Sequence, residues 1–240
     1  MLKRAVLITG AAPYLGGPST WLPLRQAAPD LTFVEIDTLD FADAVNVAEA
    51  CRQAILDAAH GAACVIAHNT AAKPAIEALA GMDRAVPLVL LSPMLVQRRT
   101  PALQIVRSVV ATSIGKQILN SLARSKHVRL LNDRQFVKKQ IALLVAGAYI
   151  TDAMLEEAAK RVADPRTERS VERTAEVVLA ITDPIDPAID AKVHRTVVAG
   201  NSPLDQKTAA RMPATILPDV WSAPMIEAPQ SVARVLRELL

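Results

Sequence analysis

Few residues in this chain have types and spacing suited to chemistry, and the densest group is Ala67-His68-Asn69-Thr70-Ala71. The two flanking alanines are small enough to let a strand and a helix approach closely. The residue at the apex of such a turn takes a positive φ, which Asn tolerates because its short amide bonds locally. A carboxamide is a hydrogen-bonding group and not a nucleophile, so no base can activate Asn69 as it would a Ser or Cys. Asn69 is therefore read in two ways, as a turn former and as a ligand contact. His68, one residue before the apex, is expected to point into the core. Cys51 and Cys64 fall on a helix and a strand and read as small buried hydrophobes, with the cytoplasm as the expected compartment. The four histidines (His60, His68, His127 and His194) are scattered without ligand spacing, so neither a metal nor a cofactor is expected.

Apolar periodicity supplies the elements that must position this turn. Buried strands are expected at 5–8, 31–36, 64–67 and 86–91, with a short helix opening at Thr20-Trp21 and helices at 42–59 and 72–80. Strand and helix in alternation argue a mostly parallel central sheet with helices on both faces. From Gln97 to about Ile181 the rhythm stops and helices are expected at 102–123, 134–148, 151–163 and 168–181. A linker-like stretch at Asp183-Pro184 and Asp186-Pro187 leads back to strands at 194–199 and 214–217 and an amphipathic helix at 229–240. The expected organisation is thus one α/β core made of 1–96 and 183–240, with a helical insertion at 97–182.

The 240 residues are 51% hydrophobic, 21% charged and only 3% aromatic, so the core must be built from Ala, Val, Leu and Ile. The opening Lys3-Arg4 and Ala5–Ile8 resemble a signal peptide, but the apolar run is too short and reads as a strand. The apolar stretch 141–150 is shorter than the roughly 20 residues that span a bilayer, so the chain is not expected to be transmembrane; that stretch is read as core of the insertion or as a self-association face of a homo-oligomer. Between Gln97 and Gln140, ten basic residues (Arg98, Arg99, Arg107, Lys116, Arg124, Lys126, Arg129, Arg134, Lys138 and Lys139) face one acidic residue, Asp133, a net of +9 in a chain of net +3. This is read as a solvated face or as the site of an anionic partner: a carboxylate or phosphate ligand, an acidic protein or a membrane surface. No nucleic-acid partner is expected.

Two families are approached by these residues. Thr9-Gly10-Ala11-Ala12 after a strand resembles the phosphate-binding turn of the short-chain dehydrogenase family, but Tyr14 stands at the middle glycine, Pro13 stiffens the loop and no Tyr-x-x-x-Lys pair follows. The strand–turn–helix around Asn69 resembles the nucleophile elbow of the α/β-hydrolase family. That second resemblance runs over nearly the whole chain, through Thr20-Trp21-Leu22-Pro23-Leu24, Leu90-Leu91-Ser92-Pro93, Val197-Val198-Ala199-Gly200, Ile216-Leu217-Pro218 and Pro224-Met225-Ile226-Glu227-Ala228-Pro229. It implies the α/β-hydrolase fold, with 97–182 as a helical cap.

Carried over residue by residue, the family's serine falls on Asn69 and its histidine on Ser222. Its acid falls on Ser202 or Pro203, with Asp205 a substitute only if that loop were rebuilt. The family's His-Gly after the first strand has become Thr9-Gly10. The resemblance thus implies a chain that has lost the hydrolytic triad and keeps an oxyanion hole from the Thr70 and Ala11 backbone N–H groups. Its expected pocket is lined by Ala11, Ala12, Asn69, Thr70, Ser202 and Ser222. Two readings stay open: a protein that binds a small acyl, carbonyl or anionic ligand or a protein partner, and a non-hydrolytic enzyme (lyase, cyclase, dehydratase or isomerase) using Asn69, Ser222 and His127, the last reaching in from the cap. A hydrolase with a relocated nucleophile ranks below both.

Overall fold

The computed structural model describes residues 2–10, 15–96 and 100–240. Six strands form one wholly parallel sheet in the order β2-β1-β3-β4-β5-β6. They are β1 (Lys3–Thr9), β2 (Leu31–Asp37), β3 (Cys64–His68), β4 (Leu88–Leu91), β5 (Arg195–Ala199) and β6 (Thr215–Ile216). The inner strands are apolar on both faces, as a doubly covered parallel sheet requires. Ala5, Leu7, Cys64, Ile66, Val89 and Leu91 face α1 (Pro18–Ala27), through Trp21 and Leu24, and the C-terminal helix, through Val232 and Leu236. The alternate residues Val6, Ile8, Val65, Ala67, Leu88 and Leu90 face α2 (Val47–Ala59), through Cys51 and Ile55, and α3 (Ala72–Leu79), through Ala72, Ala75 and Ile76.

Local chemistry sets the element boundaries. The helix expected from 42 begins at Val47, because the Asn46 side chain caps it by accepting from Glu49 N at 3.1 Å. The strand expected from 86 begins at Leu88, after Pro87, which has no N–H for the ladder. Between β4 and β5 run α4 (Pro101–Ala111), α5 (Ser113–Asn132), α6 (Arg134–Ile141), α7 (Asp152–Val162), α8 (Pro165–Glu172), α9 (Thr174–Ile181) and the short α10 (Pro187–Asp190). The single helix expected at 102–123 is two: Thr112 is extended, and its hydroxyl accepts from Gly115 N at 3.0 Å to start α5, which runs on to Asn132. The helix expected at 134–148 stops at Ile141, and the one expected at 168–181 begins at Pro165 and breaks at Arg173. The apolar run 141–150 is divided, with Ile141 and Val145 buried and Leu143 exposed. Then come α11 (Pro203–Ala209), α12 (Pro224–Glu227) and α13 (Pro229–Leu239).

The helices between β4 and β5 are fastened to the sheet layer in two ways. Leu130, Val137, Ile141, Val145, Met154, Leu155, Ala158 and Val162 join the same apolar cluster as Trp21, Ile66 and Leu91. A row of arginines also descends on the segment after β2: Arg161 pairs with Asp37 (3.1 Å), Arg166 with Asp40 (2.6 Å), Arg169 with Asp43 (2.9 Å), and Arg173 donates to Val45 O (3.1 Å). Among the described residues, no helix is long and apolar enough to cross a membrane, and no His, Cys, Asp and Glu cluster fit to hold a metal is present.

Candidate functional site at the C-terminal edge of the sheet

The chain runs from β1 outward to β2 and then returns to place β3 on the other side of β1. The strand order reverses there, so the loops leaving β1 and β3 diverge at their C-terminal ends, where open parallel sheets hold ligands. Gly10 ends β1 and lies hard against the turn after β3: a Cβ there would sit 2.6 Å from Thr70 Oγ1 and 2.8 Å from His68 O. Ala11 and Ala12, expected in the pocket, lie outside the described residues.

Asn69 is at the apex with φ of +54°, followed directly by a 3₁₀ turn and α3. Its backbone carbonyl accepts from Met94 N at 3.1 Å, and its half-buried carboxamide makes no hydrogen bond among the described residues. One strand over, Ser92 at the end of β4 is the second non-glycine residue in the left-handed region, with φ of +44°. Two such residues at adjacent strand ends store backbone strain of order 1–3 kcal/mol each, a feature that clusters at functional sites.

The strained Ser92 holds a buried acid. Its hydroxyl donates to Asp205 Oδ2 at 3.1 Å, and Gly200 N donates to the same oxygen at 3.2 Å. The side chain held at the ends of β4 and β5 is that of Asp205, and not that of Ser202 or Pro203. Ser202 caps α11, its hydroxyl accepting from Asp205 N at 3.2 Å, and Pro203 is exposed in the first turn. That turn carries Asp205 back beneath the strand ends, fully buried. Burial pushes the Asp205 carboxyl up from the ordinary carboxylate range, while the hydroxyls of Ser202, Ser92 and Ser222 and the Gly200 N–H pull it back. Sequence reasoning missed Ser92 and passed over Asp205. The signal for Asp205 was Ser202-Pro203-Leu204-Asp205, a capping-box spacing that fixes the third helical residue.

Ser222 faces this carboxyl. Ser222 Oγ and Asp205 Oδ1 are both buried with no hydrogen-bond partner among the described residues, so the pair lies close without good geometry. The segment carrying Ser222 is pinned from several sides: Asn201 N donates to Val220 O (2.6 Å), Ser202 N to Trp221 O (3.1 Å), and Trp221 Nε1 to Leu143 O (2.9 Å). A Cβ on Gly200 would sit 2.1 Å from Trp221 O. The Gly200→Ala variant is accordingly expected to lose about 1–3 kcal/mol, the usual cost of overpacking. An unchanged thermal midpoint would show that this contact does not hold the segment.

His68 is buried, its Nε2 3.1 Å from Ser222 O. The carbonyl can only accept, so Nε2 carries the proton. Burial pushes the ring's pKa down to about 4, with the bond to Ser222 only partly offsetting it. Cys51 and Cys64 are buried, and burial pushes their thiols up to about 11 and about 12, which leaves no ready thiolate. His127 is buried in α5, which packs on α4, α6, α7, α8 and α9, and its Nδ1 has no hydrogen-bond partner among the described residues. No bond links it to Asn69 or Ser222.

No family model and no curated protein matches the sequence. Solved structures do match along the whole chain. The enol-lactonase from Burkholderia xenovorans LB400 superposes with a TM-score of 0.62 at 15% identity, covering 100% of this chain and 91% of its own. MGS-M2, an alpha/beta hydrolase enzyme from a Medee basin deep-sea metagenome library, gives 0.59 at 11%, covering 99% and 88%. The epoxide hydrolase CorEH gives 0.56 at 12%, covering 99% and 90%. At such identities the likeness concerns the fold.

Proposed function

We propose that this chain, which has the α/β-hydrolase fold, binds a small carbonyl or carboxylate ligand at the crevice between β1 and β3 without forming a covalent bond to it. The observation that carries this is Asn69 at the left-handed apex, where the fold presents its reacting side chain and this chain presents a carboxamide. The Asn69 amide donates to or accepts from the ligand, and the Ser222 hydroxyl, which has no hydrogen-bond partner among the described residues, supplies a second polar contact. Helices within 97–182 serve as a cap on a core of 1–96 and 183–240. In support, the α7 residues Glu157 and Arg161 bind Ser19 N at the start of α1 (2.9 Å) and Asp37, the last residue of β2 (3.1 Å).

Native mass spectrometry of the protein purified from its own host is expected to find a small molecule that Asn69→Leu loses, with no labelling by a fluorophosphonate. Stoichiometric labelling, or ester turnover abolished by Asn69→Leu, overturns the reading.

One observation favours a second reading, a non-hydrolytic enzyme: Asp205 is a buried acid of raised pKa against Ser222, a group able to move a proton. A captured molecule that is converted by the wild type and persists unchanged in Asp205→Asn would select it.

A further inference from the structure

The adjoining helices α4 and α5 present apolar side chains that nothing among the described residues covers. On α5, Ile114, Ile118 and Leu122 recur every fourth residue and are 68%, 56% and 63% exposed, with Val128 beside them. At about 100° per residue these four side chains fall within an arc of about 120°. On α4, Ile105 and Val109 make a second exposed i, i+4 pair. The two helices pack against each other and both pack against α9. Exposed aliphatic groups in such number mark an interaction site.

The charge around this face is of one sign. From Thr100 to Asn132 there is no acidic residue, and α5 carries Lys116, Arg124, Lys126 and Arg129. Arg124 and Lys126 stand at the two edges of the stripe, where long basic side chains lie when an amphipathic helix rests in a headgroup layer. Arg124 also pairs with the exposed Glu172 at 2.8 Å, a surface bridge of little worth. A second copy of the chain is a poor occupant, because a two-fold contact would set these cations against themselves. A folded protein partner is poorly served too, since the face has none of the aromatic anchors that dominate such interfaces.

We propose that α4 and α5 dock the protein on an anionic lipid surface, with Ile105, Val109, Ile114, Ile118 and Leu122 entering the headgroup boundary and the flanking cations meeting lipid phosphates. Each cation contributes roughly a fivefold increase in affinity near such a surface. The full-length protein is expected to sediment with vesicles of equal parts phosphatidylcholine and phosphatidylglycerol, and not with phosphatidylcholine alone. Ile114→Glu/Ile118→Glu is expected to lose at least about tenfold in binding, because it replaces apolar burial with charge repelled by the lipid. Arg124→Glu and added salt are expected to weaken binding as well. These positions are exposed, so the thermal midpoint stays unchanged and separates lost docking from lost folding. No sedimentation with the anionic vesicles, equal sedimentation with both vesicle types, or a dimer abolished by the same double substitution would each overturn the proposal.

Discussion

The double variant Asn69→Ser/Ser222→His is expected to react stoichiometrically with a fluorophosphonate, where the wild type and each single variant do not. Three positions make this expectation: the left-handed apex at 69, the buried Asp205 carboxyl and the pinned residue 222 that faces it. Their chain order, 69 then 205 then 222, is the Ser…Asp…His order of α/β-hydrolases. A histidine at 222 would point toward Asp205, which would hold the ring and its tautomer, leaving the other nitrogen for the hydroxyl introduced at the apex. General-base assistance alone contributes about 10²–10⁴-fold, so the gain stands well above background. Adding Asp205→Asn to the double variant should then remove most of the reactivity, because the ring would lose the partner that fixes its tautomer. A double variant that keeps its thermal midpoint and still takes no label would show that 69, 205 and 222 do not form one constellation.

The second large effect is on stability and concerns His68. Its ring is neutral in the folded protein down to about pH 4, whereas in the unfolded chain it takes a proton below about 6.5. The unfolded state therefore binds more protons in that window. The stability contributed by the neutral ring is complete above about pH 6.5 and is lost as the pH falls toward about 4, amounting to roughly 3 kcal/mol. Asp205 acts in the opposite sense: its raised pKa means the folded state holds its proton more tightly than the unfolded one, so acidification relieves part of its burial cost. The two are separated by substitution. Denaturation of wild type and His68→Gln across the window should give a steep acid loss in the first and a shallow one in the second. Parallel curves would rule out His68 as the source.

Much of the sheet was legible because a doubly covered parallel strand has to be apolar at every position, and runs such as Ala5–Ile8 and Leu88–Leu91 satisfy little else. The elbow was legible because Ala67 and Ala71 bracket a residue that tolerates positive φ. The helices after β4 were legible in kind and not in length. Thr112 is one ordinary letter in an apolar stretch, and only its capping of Gly115 N divides α4 from α5. The buried carboxyl at 205 was passed over for a related reason. Counting along a loop puts Ser202 or Pro203 next to the strand end, whereas the first turn of α11 folds residue 205 back under it. Ser92 lay within Leu90-Leu91-Ser92-Pro93, but nothing in that stretch marked its left-handed backbone or its contacts with β5 and α11, which are distant in sequence.

The apolar cluster that runs without a break from Trp21 and Leu91 into Val137, Ile141 and Leu155 has a consequence for how this architecture can change over time. The helices α5, α6 and α7 are not a separable layer. Exchanging them for another set would uncover the face of the sheet that Trp21 and Ile66 occupy, and a chain so modified would have no intact half to fall back on. Change on this scaffold is expected to come more readily through single replacements than through exchange of whole helices, because each of these helices is packed into the shared core.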